Sequence, residues 1–208
     1  MHDNPRDRLR ATYDANAEAR DRRDLPEWKR NVREAFLKIL QREEHTRLLE
    51  IGAGTGHDGV FFLQEGLHVV CVDLSSEMVR FCREKGLEAH VMDVVDLQFA
   101  PDAFDAVYSF NSLLHLPRAD LPTALREVRR VLRPGGTFFL GLYGGYNHEG
   151  VWEEDTYDPN RFFSFQADED LLDVAGEVFD MVSFDRIAVK TDDPRLHFQS
   201  LILRKRSG

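Results

Sequence analysis

The chemistry of this chain concentrates where an acid and then glycines follow an apolar run: Leu48-Leu49-Glu50-Ile51-Gly52-Ala53-Gly54-Thr55-Gly56. Glycine at every second position lets the backbone turn at positive φ and lets a ligand approach the main chain without a Cβ in the way. A strand ending in such a loop before a helix is where doubly wound α/β folds hold a nucleotide-like cofactor. The spacing is not that of a dinucleotide fingerprint. G-x-G-x-x-G counted from Gly52 needs a glycine at 57, and His57 stands there. Asp73 closes the apolar run Val69-Val70-Cys71-Val72 about twenty residues past the turn, where a carboxylate can accept from ribose hydroxyls. Nicotinamide enzymes use the same device, so Asp73 alone does not choose the cofactor. Asp93, after His90-Val91-Met92, is a further acid at a strand end. A helix cap or a solvated loop acid is its plainer reading, and Asp96 is its rival in register.

These residues need strands and helices in alternation to bring them together. The apolar patterning predicts strands at 47–51, 68–73, 89–92, 106–110 and 137–143, with helices over 57–65, 77–85 and 122–132. Asp120 is placed to cap the last of these helices, and Arg133-Pro134-Gly135-Gly136 breaks it. Before the first strand, Pro26 opens an amphipathic helix carrying Trp28, Val32, Ala35, Phe36, Ile39 and Leu40 and ending near Arg42. Residues 1–24 alternate Arg and Asp, as a solvated helix or a disordered arm does. Beyond 143 the pattern changes. Residues 144–165 mix glycine, acids and aromatics without a period, a helix is expected at 168–178, and strand-like stretches at 181–190 and 196–204 flank Asp192-Asp193-Pro194. Two closing strands joined by a turn should pair antiparallel. The expected fold is α/β: a doubly wound, mostly parallel seven-stranded sheet, Rossmann-like, with an antiparallel C-terminal strand. Residues 1–45 are read as an N-terminal helical arm or cap and 46–208 as the sheet domain, one structural domain overall.

The pattern Glu-x-Gly-x-Gly-x-Gly, with Asp73, Asp93, the 104–116 stretch and the Leu132-Arg133-Pro134-Gly135-Gly136 turn, resembles the class I S-adenosylmethionine-dependent methyltransferases over roughly residues 46 to 143. The resemblance implies S-adenosylmethionine as cofactor and S-adenosylhomocysteine as product. Under it, Glu50 reaches the cofactor's amino group while Gly52, Ala53 and Gly54 offer their backbone. Asp73 takes the ribose and Leu74 and Met78 flank the adenine, although helix packing explains Met78 equally well. Asp93 takes the adenine amine, the Val94 amide meets the ring, and Asn111 sits where the strand end meets the methyl group. It also implies that Tyr13, from the N-terminal arm, contacts the methionine carboxylate. His115 is the best-placed general base, unless it only hydrogen-bonds its own loop; His148 and His197 are weaker candidates. In 143–165 the rings of Tyr143, Tyr146 and Trp152, with His148, are expected to wall a substrate pocket or lid. The alternative is that these rings form the local core of an insertion.

Composition narrows the acceptor. The chain of 208 residues carries a net charge of −10, with 42% hydrophobic and 31% charged residues, which describes one ordinary globular domain. The acidic balance disfavours nucleic acid as partner. So does the 109–112 stretch Ser-Phe-Asn-Ser, which stands where base-directed amino methyltransferases carry Asp/Asn-Pro-Pro-aromatic. Apolar runs fall far short of the ~20 residues that a membrane span needs, and the first residues lack a secretory pattern, so a cytoplasmic location is expected. The two cysteines, Cys71 and Cys82, read as buried hydrophobes. No metal is expected. The expected partner is a small-molecule methyl acceptor, with the protein a monomer or homodimer. A non-catalytic S-adenosylmethionine-binding protein is the main alternative, and an NAD(P)-dependent oxidoreductase is a remoter one.

Overall fold

The computed structural model describes residues 4–153, 155–190 and 193–206. Glu154 and Asp192, within two of the segments read above, and the extreme termini lie outside them. Two helices come first, α1 (Pro5–Asp21) and α2 (Glu27–Arg42). Then β1 (Arg47–Ile51), α3 (His57–Gln64), β2 (His68–Asp73), α4 (Ser76–Glu84), β3 (Glu88–Val91), β4 (Phe104–Phe110), α5 (Leu121–Val131) and β5 (Leu132–Gly144) alternate. The chain closes with β6 (His148–Val151), β7 (Phe162–Phe165), α6 (Asp168–Gly176), β8 (Asp180–Ile187) and β9 (His197–Arg204). Seven strands form one sheet in the order β3-β2-β1-β4-β5-β9-β8. β9 runs antiparallel to both its neighbours, and the first five strands are parallel. The seven-stranded layout read from the sequence is the layout found.

Strand side chains alternate between the two faces, so consecutive apolar residues fill both cores. Leu49, Val70, Val107 and Leu140 face α5 and α6, while Leu48, Val69, Ala106 and Phe139 face the layer of α2, α3 and α4. α2 belongs to that layer: Phe36, Leu37 and Leu40 are buried, and Phe36 stacks on Tyr108 at 5.6 Å. Ala35, expected on the apolar stripe, is exposed, and Leu37 takes the buried position instead. β5 begins earlier than expected. Leu132 already pairs with Phe104, the 133–136 turn bulges out, and pairing resumes at Thr137 with Ala106. Asp120 does stand at the N-cap of α5, but its side chain makes no capping bond there, because it accepts from the Arg6 guanidinium at 2.8 Å.

Residues 144–165 hold a separate two-stranded antiparallel hairpin, β6 with β7, that the aperiodic sequence concealed. Its rings pack on one another. The Trp152 centroid lies 5.4 Å from His148, 5.5 Å from Phe165 and 6.3 Å from Phe163. Tyr146 lies 5.9 Å from Phe165 and donates its hydroxyl to Asp193 at 2.9 Å. The rings form the local core of the hairpin.

Replacing Trp152 with Ala should therefore act on stability first. Removing a part-buried indole from this cluster should cost about 2–3 kcal/mol, read as a lower midpoint in urea. An unchanged midpoint would contradict the packing account.

Candidate functional site

The carboxyl ends of β1, β2 and β4 open on one cavity of about 390 Å³, at the low end of the range for small-ligand sites. All three glycines of the loop adopt the left-handed conformation: Gly52 at φ 69°, Gly54 at φ 54° and Gly56 at φ 83°. At Gly52 the need is doubly strict, because a Cβ would lie 2.0 Å from the Ser112 hydroxyl. At Gly54 a Cβ would meet nothing within 4 Å, so the backbone there is bare toward the cavity.

Two acids sit in the wall beside that loop. Asp73 accepts from the Gly54 amide at 2.9 Å through one oxygen and from the Ser75 amide at 2.9 Å through the other. Burial nonetheless raises its pKa above the ordinary aspartate value, against the pull of those amides. Glu50 is buried next to it, its Oε2 accepting only a weak bond from the Cys71 thiol at 3.4 Å. Burial first, and the Asp58 carboxylate second, hold Glu50 well above the usual carboxylate range. Glu50 is thus a buried acid that holds its proton more tightly than an ordinary carboxyl, on a cavity that could bring it a cation.

At the far end Leu74, Met78, Met92, Asp93 and Val94 line the same cavity. Met78 is buried, so the packing account of it and the lining account hold together. Asp93 is not free. Its Oδ2 forms an ion pair with Arg6 at 2.5 Å, and its Oδ1 accepts from the Val95 amide at 3.1 Å. Asp96 does not join the wall; its Oδ1 accepts from the Gln98 amide group at 2.9 Å.

α1 lies across these elements and brings Arg6, Tyr13 and Arg20 to the cavity. It is fastened by polar contacts. Asp14 accepts from the Ser75 hydroxyl at 2.5 Å and from the Glu77 amide at 3.2 Å, and Asp21 pairs with Lys85. Thr12, buried, donates to the Pro159 carbonyl at 2.7 Å. The charged arm is therefore a docked helix.

Tyr13 and His115 meet over the cavity. The His115 Nδ1 lies 2.8 Å from the Phe162 carbonyl and must donate to it, which leaves Nε2 to accept the Tyr13 hydroxyl proton at 2.8 Å. Burial, reinforced by the Arg161 and Arg20 guanidinium groups, pushes the His115 pKa down to about 3. His115 is consequently neutral at physiological pH and weakly basic, with both nitrogens engaged. Arg161 in turn donates to the Tyr13 hydroxyl at 3.4 Å and is braced by Asp155 at 2.8 Å.

Asn111 also lines the cavity, at the end of β4. It is a non-glycine residue at φ 54°, and its Oδ1 is buried without a hydrogen-bond partner. Such strain and such an orphan acceptor gather at ligand sites. Among the described residues, the cavity wall does not include Tyr143, Tyr146, His148, Trp152 or His197. Tyr143 packs against Trp28 and Phe198 behind Asn111, and His197 binds Asp168 at 2.8 Å. The rings expected to wall a substrate pocket pack on one another outside this cavity, and the hairpin meets two of the lining residues, through the Phe162 carbonyl at His115 and Arg161 at Tyr13. Sequence reading passed over Arg6, Arg20, Arg23, Lys29 and Asp58, all of which line the cavity. The alternation of Arg and Asp before residue 24 was the only signal for most of them.

Fold and site together define a doubly wound α/β protein with a cavity of small-ligand size at the carboxyl ends of its parallel strands. A family model described as "Methyltransferase domain" matches residues 48–136. A malonyl-[acyl-carrier protein] O-methyltransferase of Pectobacterium atrosepticum is 32% identical over 143 residues, 65% of this chain and 56% of that one. Phosphoethanolamine N-methyltransferase 1 of Triticum aestivum is 31% identical over 116 residues, 52% of this chain and 23% of that one. The chain thus spans about half or less of the length of these relatives. The solved structure of a Burkholderia thailandensis 1,6-didemethyltoxoflavin-N1-methyltransferase with bound 1,6-didemethyltoxoflavin and S-adenosylhomocysteine shares the fold. It superposes with a TM-score of 0.72 at 21% identity, over 96% of this chain and 88% of that one. Residues 48–136 are thus a methyltransferase domain, carried on the class I S-adenosylmethionine-dependent methyltransferase fold, and S-adenosylmethionine is the cofactor of that family.

The state of His115 yields a pH test. Its native pKa of about 3 lies below the ordinary 6.5 of an unfolded histidine. The unfolded chain therefore takes up the proton first, and stability should fall as pH drops from about 6.5 toward 3. Denaturant melts at stepped pH should show that loss in the wild type and a shallower one in His115→Phe. Equal slopes would mean that the ring protonates in the native state.

Proposed function

We propose that this protein transfers the methyl group of S-adenosylmethionine to a small-molecule acceptor. The observation that carries the reading is the convergence of Glu50, the left-handed glycine loop, Asp73 and Asp93 on one cavity at the carboxyl ends of parallel strands. The residues present suit that cofactor. Its cationic amino group meets a buried acid at Glu50, and the backbone from Gly52 to Gly54, bare at Gly54 where a Cβ would meet nothing within 4 Å, takes the methionine portion. Asp73 retains lone pairs for ribose hydroxyls. Leu74 and Met78 offer apolar walls to the adenine, with Asp93 and the Val94 amide at its edge.

When bound, the cofactor supplies a methyl group already activated on a sulfonium. The chain then has mainly to align an acceptor atom with that methyl and to exclude water. Asn111 stands at the β4 end, where its orphan Oδ1 accepts a hydrogen bond from an acceptor N–H or O–H. The neutral His115 holds Tyr13 in place, and Tyr13 closes that side of the cavity and presents its hydroxyl to the ligand. His115 serves as a positioning residue in this reading more than as the base that its sequence position implied. Of residues 1–45, the covering role belongs to α1, because α2 is part of the core. The acceptor is a small molecule or a small group carried on a larger one, as the malonyl group is in the name of one relative. A nicotinamide dinucleotide does not suit His57, which stands where its fingerprint carries glycine.

Calorimetric titration with S-adenosylhomocysteine should show micromolar binding, weakened on the order of 100-fold in Asp73→Ala as its charged hydrogen bonds are lost. Absence of binding, with NADH bound in its place, would sink the reading. Because burial raises the Glu50 pKa and a bound ammonium group lowers it, S-adenosylhomocysteine binding should release protons from the wild type at a pH between the free and bound values. The heat should then depend on the buffer's ionisation enthalpy, and that dependence should shrink in Glu50→Gln. Equal buffer dependence in both proteins would remove Glu50 from the contact.

A further inference from the structure

Three cations, Arg20, Arg23 and Lys29, line one side of the cavity. Among the described residues, the hydrogen bonds and ion pairs give none of them a carboxylate partner. Arg20 donates to the Tyr157 hydroxyl at 2.9 Å and lies over the Tyr13 ring, and Arg23 lies over the Tyr157 ring at 5.4 Å. Lys29 is the least compensated. Its amine sits over the rings of Phe110 at 5.2 Å and Trp28 at 5.5 Å. The carboxylate that acts on it, Asp58, is already bound to Arg33 at 2.8 Å and to the Tyr108 hydroxyl at 3.3 Å. Burial pushes the lysine pKa down, and the Arg20 charge pushes the same way against Asp58.

Charges taken out of water are ordinarily paired, and an unpaired one facing a ligand cavity marks where the ligand supplies the opposite charge. The cofactor's single carboxylate satisfies one cation, and Arg20 is close enough to the loop to act on Asp73. Lys29 stands instead beside Phe110, next to Asn111 at the strand end where the acceptor enters. We infer that Lys29 is the specificity-determining residue of an acceptor subsite and binds a carboxylate or phosphate group on the methyl acceptor. The inference rests on the cofactor reading above. Arg23 adds to the field at the cavity mouth, in a chain of net charge −10 that otherwise repels anions.

The probes are malonate, inorganic phosphate and phosphoethanolamine, titrated into protein saturated with S-adenosylhomocysteine. At least one should bind, should lose about 10-fold or more in affinity in Lys29→Gln, and should recover most of it in Lys29→Arg. S-adenosylhomocysteine itself should bind Lys29→Gln within about 2-fold of wild type, which also reports that the variant is folded. Preference for malonate or for the phosphates tells carboxylate from phosphate chemistry. Failure of S-adenosylhomocysteine to bind the wild type would sink the cofactor reading and this inference with it. If it binds and no probe does, or a probe binds wild type and Lys29→Gln alike, only the subsite is overturned. A 10-fold loss of S-adenosylhomocysteine in Lys29→Gln would assign the amine to the cofactor carboxylate and overturn it too. Lys29→Met should melt no lower than wild type, since it removes an uncompensated charge; a fall in Tm would assign the lysine a structural role and overturn the inference.

Discussion

Two carboxyl groups on neighbouring parallel strands, buried without a cation between them, govern this molecule. Burial raises the pKa of both Glu50 and Asp73, and Asp73 offsets part of that cost by accepting one bond on each oxygen, from the Gly54 and Ser75 amides. The Gly54 amide is turned toward Asp73 in a loop whose three glycines, Gly52, Gly54 and Gly56, are left-handed. The loop's glycine spacing, the start of α3 and the shape of the cavity floor are therefore one requirement met three times. Even the small residues around the loop follow from it. A Cβ at Gly59 would lie 2.7 Å from Glu50 Oε2, and the Cys82 thiol donates to the Gly54 carbonyl at 3.2 Å.

What could be read from the amino-acid order was what repeats. Parallel strands buried on both faces are near-continuous apolar runs, so β1, β2, β4 and the closing pair were legible, as were the acids at their ends. The strand ends blurred where pairing continued past the pattern, as at Phe104 and Leu132, which join across a bulge. The β6–β7 hairpin was illegible for a different reason. Gly150 and the long connection to Arg161 break the alternation, and aromatic side chains look alike whether they wall a pocket or pack on one another. Trp152 and Tyr146 did the second.

Of the cavity roof only a helical cap and Tyr13 were expected, both from the resemblance, because its order comes from partners distant in sequence. Arg6 bridges Asp93 and Asp120, residues that lie far apart along the chain and were read separately, one as an adenine contact and one as a helix cap. Tyr13 gains its place only through His115, and His115 only through the Phe162 carbonyl. Nothing local to residues 1–24 announces these meetings. Lys29 belongs with them: on a helical wheel it is a solvent-side lysine beside Trp28, and only the approach of β4 turns it inward.

The seam between α1 and the sheet domain has a property that the two cores lack. It is built largely from ion pairs and charged hydrogen bonds, Arg6 with Asp93, Asp14 with Ser75, and Asp21 with Lys85, rather than from apolar surface. Mobile ions screen such contacts, with a Debye length of about 8 Å at physiological ionic strength, whereas salts that strengthen burial tighten an apolar seam. The grip of the roof over the cavity thus depends on the ionic composition of the solution, and that of the two apolar cores beneath it far less.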